Sequence, residues 1–168
     1  MEVVNLPTRR EKMNTLSWHS AIRRYVVIAT GLNLLWESVQ VPLYTIWRTG
    51  SMQDIVFAVL HCTAGDVVIA ITALVFTLVL LGSRDWPTHQ SLPFNVLVIG
   101  AGLTYTVISE RVNLANGAWA YSDLMPLVPW LNVGWSPVVQ WIAIPAISLW
   151  HINSICASFH RLNDKLDK

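Results

Sequence analysis

Residues 55–81 read IVFAVLHCTAGDVVIAITALVFTLVLL, an apolar run in which Asp66 carries the only formal charge. About 20 mostly apolar residues are enough to cross the hydrocarbon core of a bilayer as a helix. The stretch therefore predicts a transmembrane helix, and three other segments of the chain meet the same criterion. The predicted spans cover residues 22–46, 55–81, 93–113 and 137–157.

The composition places the whole chain in the membrane class. Of its 168 residues, 54% are hydrophobic and 12% are charged, and the mean hydropathy is +0.47. A soluble domain carries about 25% charged residues, so there are too few charges here to cover a globular surface. The sequence contains no Lys/Arg cluster of the kind that binds phosphates, which excludes a nucleic-acid-binding protein. We expect an all-α integral membrane protein with a single membrane domain over residues 1–168, folded as a four-helix bundle.

The distribution of Lys and Arg predicts the orientation of these spans. Cytoplasmic segments of membrane proteins are enriched in both residues. Only Arg48 and Arg111 lie on the side opposite the termini, and all the other basic residues lie on the side of the termini: Arg9, Arg10, Lys12, Arg23, Arg24, Arg84, Arg161, Lys165 and Lys168. The termini are therefore predicted to be cytoplasmic and the loop at 114–136 to lie outside. We expect a multi-pass protein of a bacterial inner (plasma) membrane.

A polar stripe runs along one face of the first span. In NLLWESVQVPLY, residues 33–44, the polar side chains are Asn33, Glu37, Gln40 and Tyr44, at steps of four, three and four. These steps place all four on the same face of a helix. A charged side chain at the centre of a span costs about 2.5–3.5 kcal/mol on insertion scales, so such residues usually face a cavity or a partner.

The other spans add polar groups at similar depths. The second contains His61 and Asp66, and the third contains Glu110 and Asn113. At 1.5 Å per residue, these groups fall at or outside the midplane, whereas the inner halves of the spans are nearly free of polar groups. This segregation predicts a polar pocket in the outer half of the bundle.

We expect four residues to perform the polar chemistry of this pocket: Glu37, His61, Asp66 and Glu110. A second set would bind the ligand or support the first set: Asn33, Gln40, Tyr44, Asn113, Trp119, Tyr121, Gln140 and Trp141.

The loop at 114–136 is too apolar to stand free in water. It contains several Trp, Leu and Val residues, and Pro126 and Pro129 exclude a long regular helix. We predict a folded aromatic cap at the membrane interface, which either closes the pocket or only anchors the loop. Within the spans, Pro42 and Pro145 are predicted to kink their helices and to free a backbone carbonyl one turn earlier.

Several kinds of chemistry fit a histidine with three carboxyl groups. His and carboxylates suit zinc, iron or manganese, so His61, Asp66, Glu37 and Glu110 are candidate metal ligands, although no HExxH or ExxH motif is present. Carboxyl groups in a dry pocket can also exchange protons with a lipophilic substrate such as an isoprenoid. Paired carboxyl groups could instead carry out hydrolysis within the membrane.

We therefore expect a membrane protein that binds, and by acid–base chemistry transforms, a small lipophilic molecule. One alternative is a structural or assembly subunit whose polar groups meet a partner membrane protein or a second copy of the chain. The other is a metal-dependent membrane enzyme. The sequence identifies neither a cofactor nor the ligand.

Overall fold

The computed structural model describes residues 9–81, 86–87 and 91–166, with side chains described within 18–155. The long helices are α1 (Arg9–Gln40), α3 (Met52–Leu81), α4 (Leu92–Ala115) and α5 (Trp135–Leu166). A 3₁₀ turn (Val41–Leu43) and the short helix α2 (Ile46–Thr49) connect α1 to α3. Two short strands, β1 (Leu127–Val128) and β2 (Val133–Gly134), lie between α4 and α5.

Four helical segments are long and apolar enough to cross a membrane. They cover Trp18–Leu43, Met52–Leu81, Leu92–Ala115 and Trp135–Ile155. The prediction of a mainly helical multi-pass membrane protein with four spans is confirmed. The predicted boundaries agree with these segments to within a few residues, which is the usual uncertainty at helix ends.

The four helices form a ring in the order α1, α3, α4, α5, each packed against its two neighbours. The end of α1, the start of α3, the end of α4 and the start of α5 meet at one end of the bundle. We call this the cap end, and we call residues 116–134 the cap.

Local sequence sets where the helices begin and end. Ser51 and Asp54 hydrogen bond reciprocally at the start of α3, with Ser51 N to Asp54 Oδ2 at 2.9 Å. Ser91 caps α4 by accepting a hydrogen bond from the Phe94 N–H. Pro145 lies inside α5 as predicted. The predicted kink at Pro42 is wrong, because α1 ends at Gln40 and Pro42 lies in the 3₁₀ turn, where its missing N–H costs little.

The core at the end opposite the cap is aromatic. Trp86 packs edge-on against Trp18 at a centroid distance of 5.3 Å and stacks on Phe94 at 6.2 Å. Tyr25 is fully buried in the same cluster. Large apolar side chains such as Val79 point outward, as expected for helices that face lipid.

The cap is folded and joined to the connection between α1 and α3. An isolated β-bridge pairs Tyr44 with Tyr121, and the Thr45 N–H donates to the Ala120 carbonyl at 2.9 Å. Strands β1 and β2 pair antiparallel, with Val128 opposite Val133. These backbone bonds hold the first part of the cap directly over the cap end of the bundle.

Candidate functional site

The polar stripe predicted on the first span is the buried face of α1. Asn33, Glu37 and Gln40 are buried among the other helices, with Glu37 8% exposed. Alanines continue the same face toward the opposite end, at Ala29 and Ala21. Because these residues are spaced at the helical period, they share one face of α1, and that face points into the bundle.

Gln140 of α5 joins the polar groups of three helices. Its Nε2 lies 2.9 Å from Asn33 Oδ1, 3.0 Å from Glu37 Oε1 and 2.9 Å from Asp66 Oδ2. The Gln140 side chain is 2% exposed. A side-chain amide has only two N–H hydrogens, so at most two of the three acceptors are satisfied at once. The amide therefore has a surplus of acceptors around it.

Glu37 and Asp66 form a carboxyl pair at this junction. Glu37 Oε1 and Asp66 Oδ2 both lie within hydrogen-bond distance of the same Gln140 amide nitrogen, at 3.0 and 2.9 Å. The two carboxyl oxygens therefore lie no more than 5.9 Å apart.

Gln40 extends the network toward the cap end. Its Nε2 donates to Glu37 Oε1 at 2.6 Å, and its Oε1 accepts from Ser136 Oγ at 2.6 Å. The Trp36 indole N–H donates to Ser136 Oγ at 3.2 Å. The orientation of Gln40 is thus fixed from both ends, which directs its N–H group at Glu37.

Glu110 forms a second acidic centre beneath the cap. Its Oε2 accepts hydrogen bonds from the Tyr121 hydroxyl and from the Trp119 indole N–H, the latter at 3.3 Å. The Tyr121 oxygen in turn accepts from the Gly134 N–H at 2.9 Å. Burial raises the pKa of the Tyr121 phenol, and its hydrogen bond to Glu110 raises that pKa further. The phenol is therefore a hydrogen-bond donor at neutral pH.

Both acidic centres line one large cavity of about 1240 Å³. α3 and α4 form its walls, α1 and α5 contribute Glu37 and Gln140, and residues 44–50 and 117–120 cover the cap end. Exposed side chains such as Phe57, Phe76 and Tyr105 stand at its edge. The cavity therefore opens on the outside of the bundle along the seam between α3 and α4, where lipid would lie.

The structure brings most of the predicted site residues to this cavity. Those that line it are Glu37, Gln40, Tyr44, His61, Asp66, Glu110, Asn113, Trp119, Gln140 and Trp141. Asn33 and Tyr121 reach it indirectly, through Gln140 and Glu110.

His61 stands apart from the carboxyl pair. Its side chain is exposed at the cavity edge, and its ring stacks on Phe57 at 5.6 Å with an interplanar angle of 17°. Asn113 donates to the Ser109 carbonyl of its own helix at 2.8 Å. Neither side chain hydrogen bonds to Glu37 or Asp66 in the described part of the chain.

Sequence reasoning missed two residues of the site, Trp36 and Ser136. Ser136 and Trp36 are isolated polar groups with no partner nearby in sequence, so no spacing pattern identifies them. Thr106 lies four residues before Glu110 on α4, a step that predicts a shared helix face, and both residues line the cavity.

Among the side chains that the structure describes, between residues 18 and 155, there is no group of three or more His, Cys, Asp or Glu placed to hold a metal ion. The candidate ligands His61, Asp66, Glu37 and Glu110 are divided between the cavity edge, the carboxyl pair and the cap.

Comparison of the chain with protein-family models, with curated protein sequences and with solved structures finds no match.

Proposed function

We propose that this protein binds a small lipophilic molecule inside its four-helix bundle and transforms it by acid–base chemistry at Glu37 and Asp66. The observation that carries the proposal is the pair of carboxyl groups, buried Glu37 and half-buried Asp66, which Gln140 bridges beside a cavity of about 1240 Å³ that opens toward lipid. Binding sites for small molecules are concave and largely apolar, with a few convergent polar groups. This cavity has that composition.

The cost of the carboxyl groups supports a chemical role. Two ionisable groups within the spans cost several kcal/mol on insertion, whereas amide side chains can join helices at a smaller cost. This bundle already contains such amides in Asn33, Gln40 and Gln140. Carboxyl groups that only held helices together would repeat a role that these amides already perform.

The geometry also suggests the role of each group. Glu37 and Asp66 meet at the same amide, so the protonated carboxyl group of the pair would donate a proton to the bound molecule while its ionised partner removes one. Gln140 keeps the two carboxyl groups in place through its amide. Glu110 and its bonds to Tyr121 and Trp119 would close the cavity at the cap end.

The positive-inside rule supports an orientation for this site. The excess of Lys and Arg on the side of the termini favours cytoplasmic termini and a cap on the outer face of a bacterial plasma membrane. In that orientation the carboxyl pair would draw its ligand from the outer leaflet.

The proposal is tested with two nearly isosteric variants, Glu37→Gln and Asp66→Asn. The matched control is Asp123→Asn, which removes a carboxyl group from an exposed position on the cap. Each protein is purified in native lipid particles, and small lipophilic molecules extracted from it are compared by mass spectrometry. We expect both site variants to express and fold like the control but to retain a different molecule, the unreacted substrate.

Two results would contradict this. If the variants retain the same molecule as the wild type, the carboxyl pair does not perform the chemistry. If instead they lose expression or release an associated membrane protein, the carboxyl groups have a structural role, as in an assembly subunit.

A further inference from the structure

The β1–β2 hairpin of the cap has an exposed apolar surface. Met125 and Val133 are buried and hold the hairpin against the protein, where β2 packs on α4 and α5. Between residues 124 and 131, every exposed side chain is apolar. We call these exposed residues the apolar tip: Leu124, Pro126, Leu127, Pro129, Trp130 and Leu131. Contiguous exposed apolar residues mark surfaces where a protein or a membrane binds.

Trp130 has an unusual backbone conformation at the turn of this hairpin. Its φ of 66° lies in the left-handed region, which bulky residues rarely adopt because the Cβ atom is crowded there. The side chain is 96% exposed, so packing within the described part of the chain does not offset this cost. Backbone strain of this kind is concentrated at functional sites. The conformation therefore indicates a contact between Trp130 and a surface outside the protein.

The hairpin is attached directly to a helix that is long and apolar enough to cross a membrane. That span begins at Trp135, the residue after β2, and the Trp135 side chain is 44% exposed. Even a fully extended chain of five residues covers at most about 18 Å, so Trp130 lies within that distance of the start of the span. The head-group region lies next to the hydrocarbon core, and tryptophan is enriched in it. The apolar tip is therefore within reach of the lipid interface.

The backbone of the hairpin is suited to an environment with little water. Pro126 and Pro129 have no N–H group that would need a partner. The Asn132 N–H donates to the Val128 carbonyl at 3.2 Å, and the Trp135 N–H donates to the Pro126 carbonyl at 2.8 Å. Backbone groups that are already bonded cost less to remove from water than free ones.

Size and charge favour lipid over a protein as the partner of this surface. Six side chains are far fewer than the roughly 20–30 residues that each partner contributes to a stable protein–protein interface. Residues 116–134 contain no Lys or Arg, and Asp123 carries their only formal charge. Attraction to anionic head groups requires basic side chains, so any contact with lipid here is apolar and independent of lipid charge.

We propose that the apolar tip inserts into the lipid interface at the cap end of the bundle, beside α4 and α5, and anchors the hairpin there through apolar contacts. None of its six side chains lines the cavity. This lipid-binding surface is therefore separate from the proposed ligand site and does not depend on the chemistry proposed for Glu37 and Asp66.

The test is fluorine NMR of the full-length protein, labelled with 5-fluorotryptophan and reconstituted in liposomes. The Trp130 signal is identified by its loss in Trp130→Phe, a change at an exposed side chain that leaves the packed residues in place. Two paramagnetic agents report its surroundings: a lipid with a nitroxide near its head group, and a gadolinium chelate in the water on both sides of the membrane. We expect the nitroxide lipid to remove most of the Trp130 signal and the chelate to leave most of it.

Asp123→Trp is the matched control, because it adds a tryptophan at the one charged and exposed position of the cap. The added signal should show the opposite pattern and be lost mainly with the chelate. The pattern for Trp130 should be the same in zwitterionic liposomes, in liposomes that contain anionic lipid, and at low and high salt.

Three results would overturn the proposal. Loss of the Trp130 signal with the chelate but not with the nitroxide lipid would place the tip in water. Protection from both agents would show that protein covers the tip, as in contact with a second copy of the chain. Loss with the nitroxide lipid only in anionic liposomes would contradict an apolar anchor.

Discussion

Gln140→Leu should destabilise the bundle, because it removes the one amide shared by three helices. The substitution keeps a side chain of similar size but deletes the N–H groups that face Asn33, Glu37 and Asp66. Two hydrogens serve these three acceptors, and the amide oxygen accepts a further bond from Gln40 Nε2 at 3.3 Å, so the variant loses three hydrogen bonds at a time. It also leaves polar atoms of the carboxyl pair facing an apolar side chain.

The magnitude follows from hydrogen bonds measured in membrane helices. Such bonds contribute about 0.6 kcal/mol on average and about 1.7 kcal/mol at most. Three lost bonds therefore place the expected loss in the free energy of unfolding at roughly 2–5 kcal/mol. A loss of 1.4 kcal/mol corresponds to about a tenfold change in the unfolding equilibrium.

Unfolding by sodium dodecyl sulfate in mixed micelles, followed by circular dichroism, measures this difference. Asn153→Leu is the matched control, since it makes the same kind of change at an exposed position of the same helix. We expect Gln140→Leu to unfold at a clearly lower detergent fraction than both the control and the wild type. Unfolding of Gln140→Leu at the wild-type midpoint would refute the role of Gln140 as the shared donor.

Three further predictions concern the cap and the contact between Gly102 and Trp141. Tyr121→Phe deletes the hydroxyl that joins Glu110 to the cap, so hydrogen exchange should accelerate in residues 117–134; unchanged exchange would contradict the link. Folding raises the pKa of the Tyr121 phenol above the ordinary tyrosine value of about 10. The hydroxyl should therefore stabilise the folded protein fully below about pH 10, and this stabilisation should be lost as the pH rises through the pKa of the folded state. The difference in unfolding free energy between the wild type and Tyr121→Phe, measured as a function of pH, tests this. Gly102→Ala should displace the Trp141 ring, because a Cβ at Gly102 would collide with it, and should shift tryptophan fluorescence; an unshifted spectrum would contradict this contact.

The sequence predicted the spans and the buried stripe because both depend on simple periodicities. Apolar runs of the required length identify helices that cross a membrane, and steps of four and three place Glu37 and Gln40 on one face. Pro42 was misassigned because a proline at the end of an apolar run looks the same whether it kinks a helix or terminates it.

The partners of each polar group depend on packing between helices, which the sequence does not specify. Gln140 was predicted only as a supporting residue, although it is the centre of the network. His61 lies one residue from Cys62, and that step of about 100° turns it to the exposed edge of the cavity. The tryptophans of the predicted aromatic cap lie in different environments. Trp119 lines the cavity, whereas Trp130 is 96% exposed on the β1–β2 turn.

The most direct test of the account is native mass spectrometry of the gently purified protein beside two size-increasing variants. Ala101→Phe places a ring in the cavity, and Ala64→Phe makes the same change at an exposed position outside it. The account predicts that the wild type and Ala64→Phe each retain one small lipophilic molecule and that Ala101→Phe does not. A bare chain in all three spectra, or equal retention by Ala101→Phe, would contradict a ligand-binding cavity between α3 and α4.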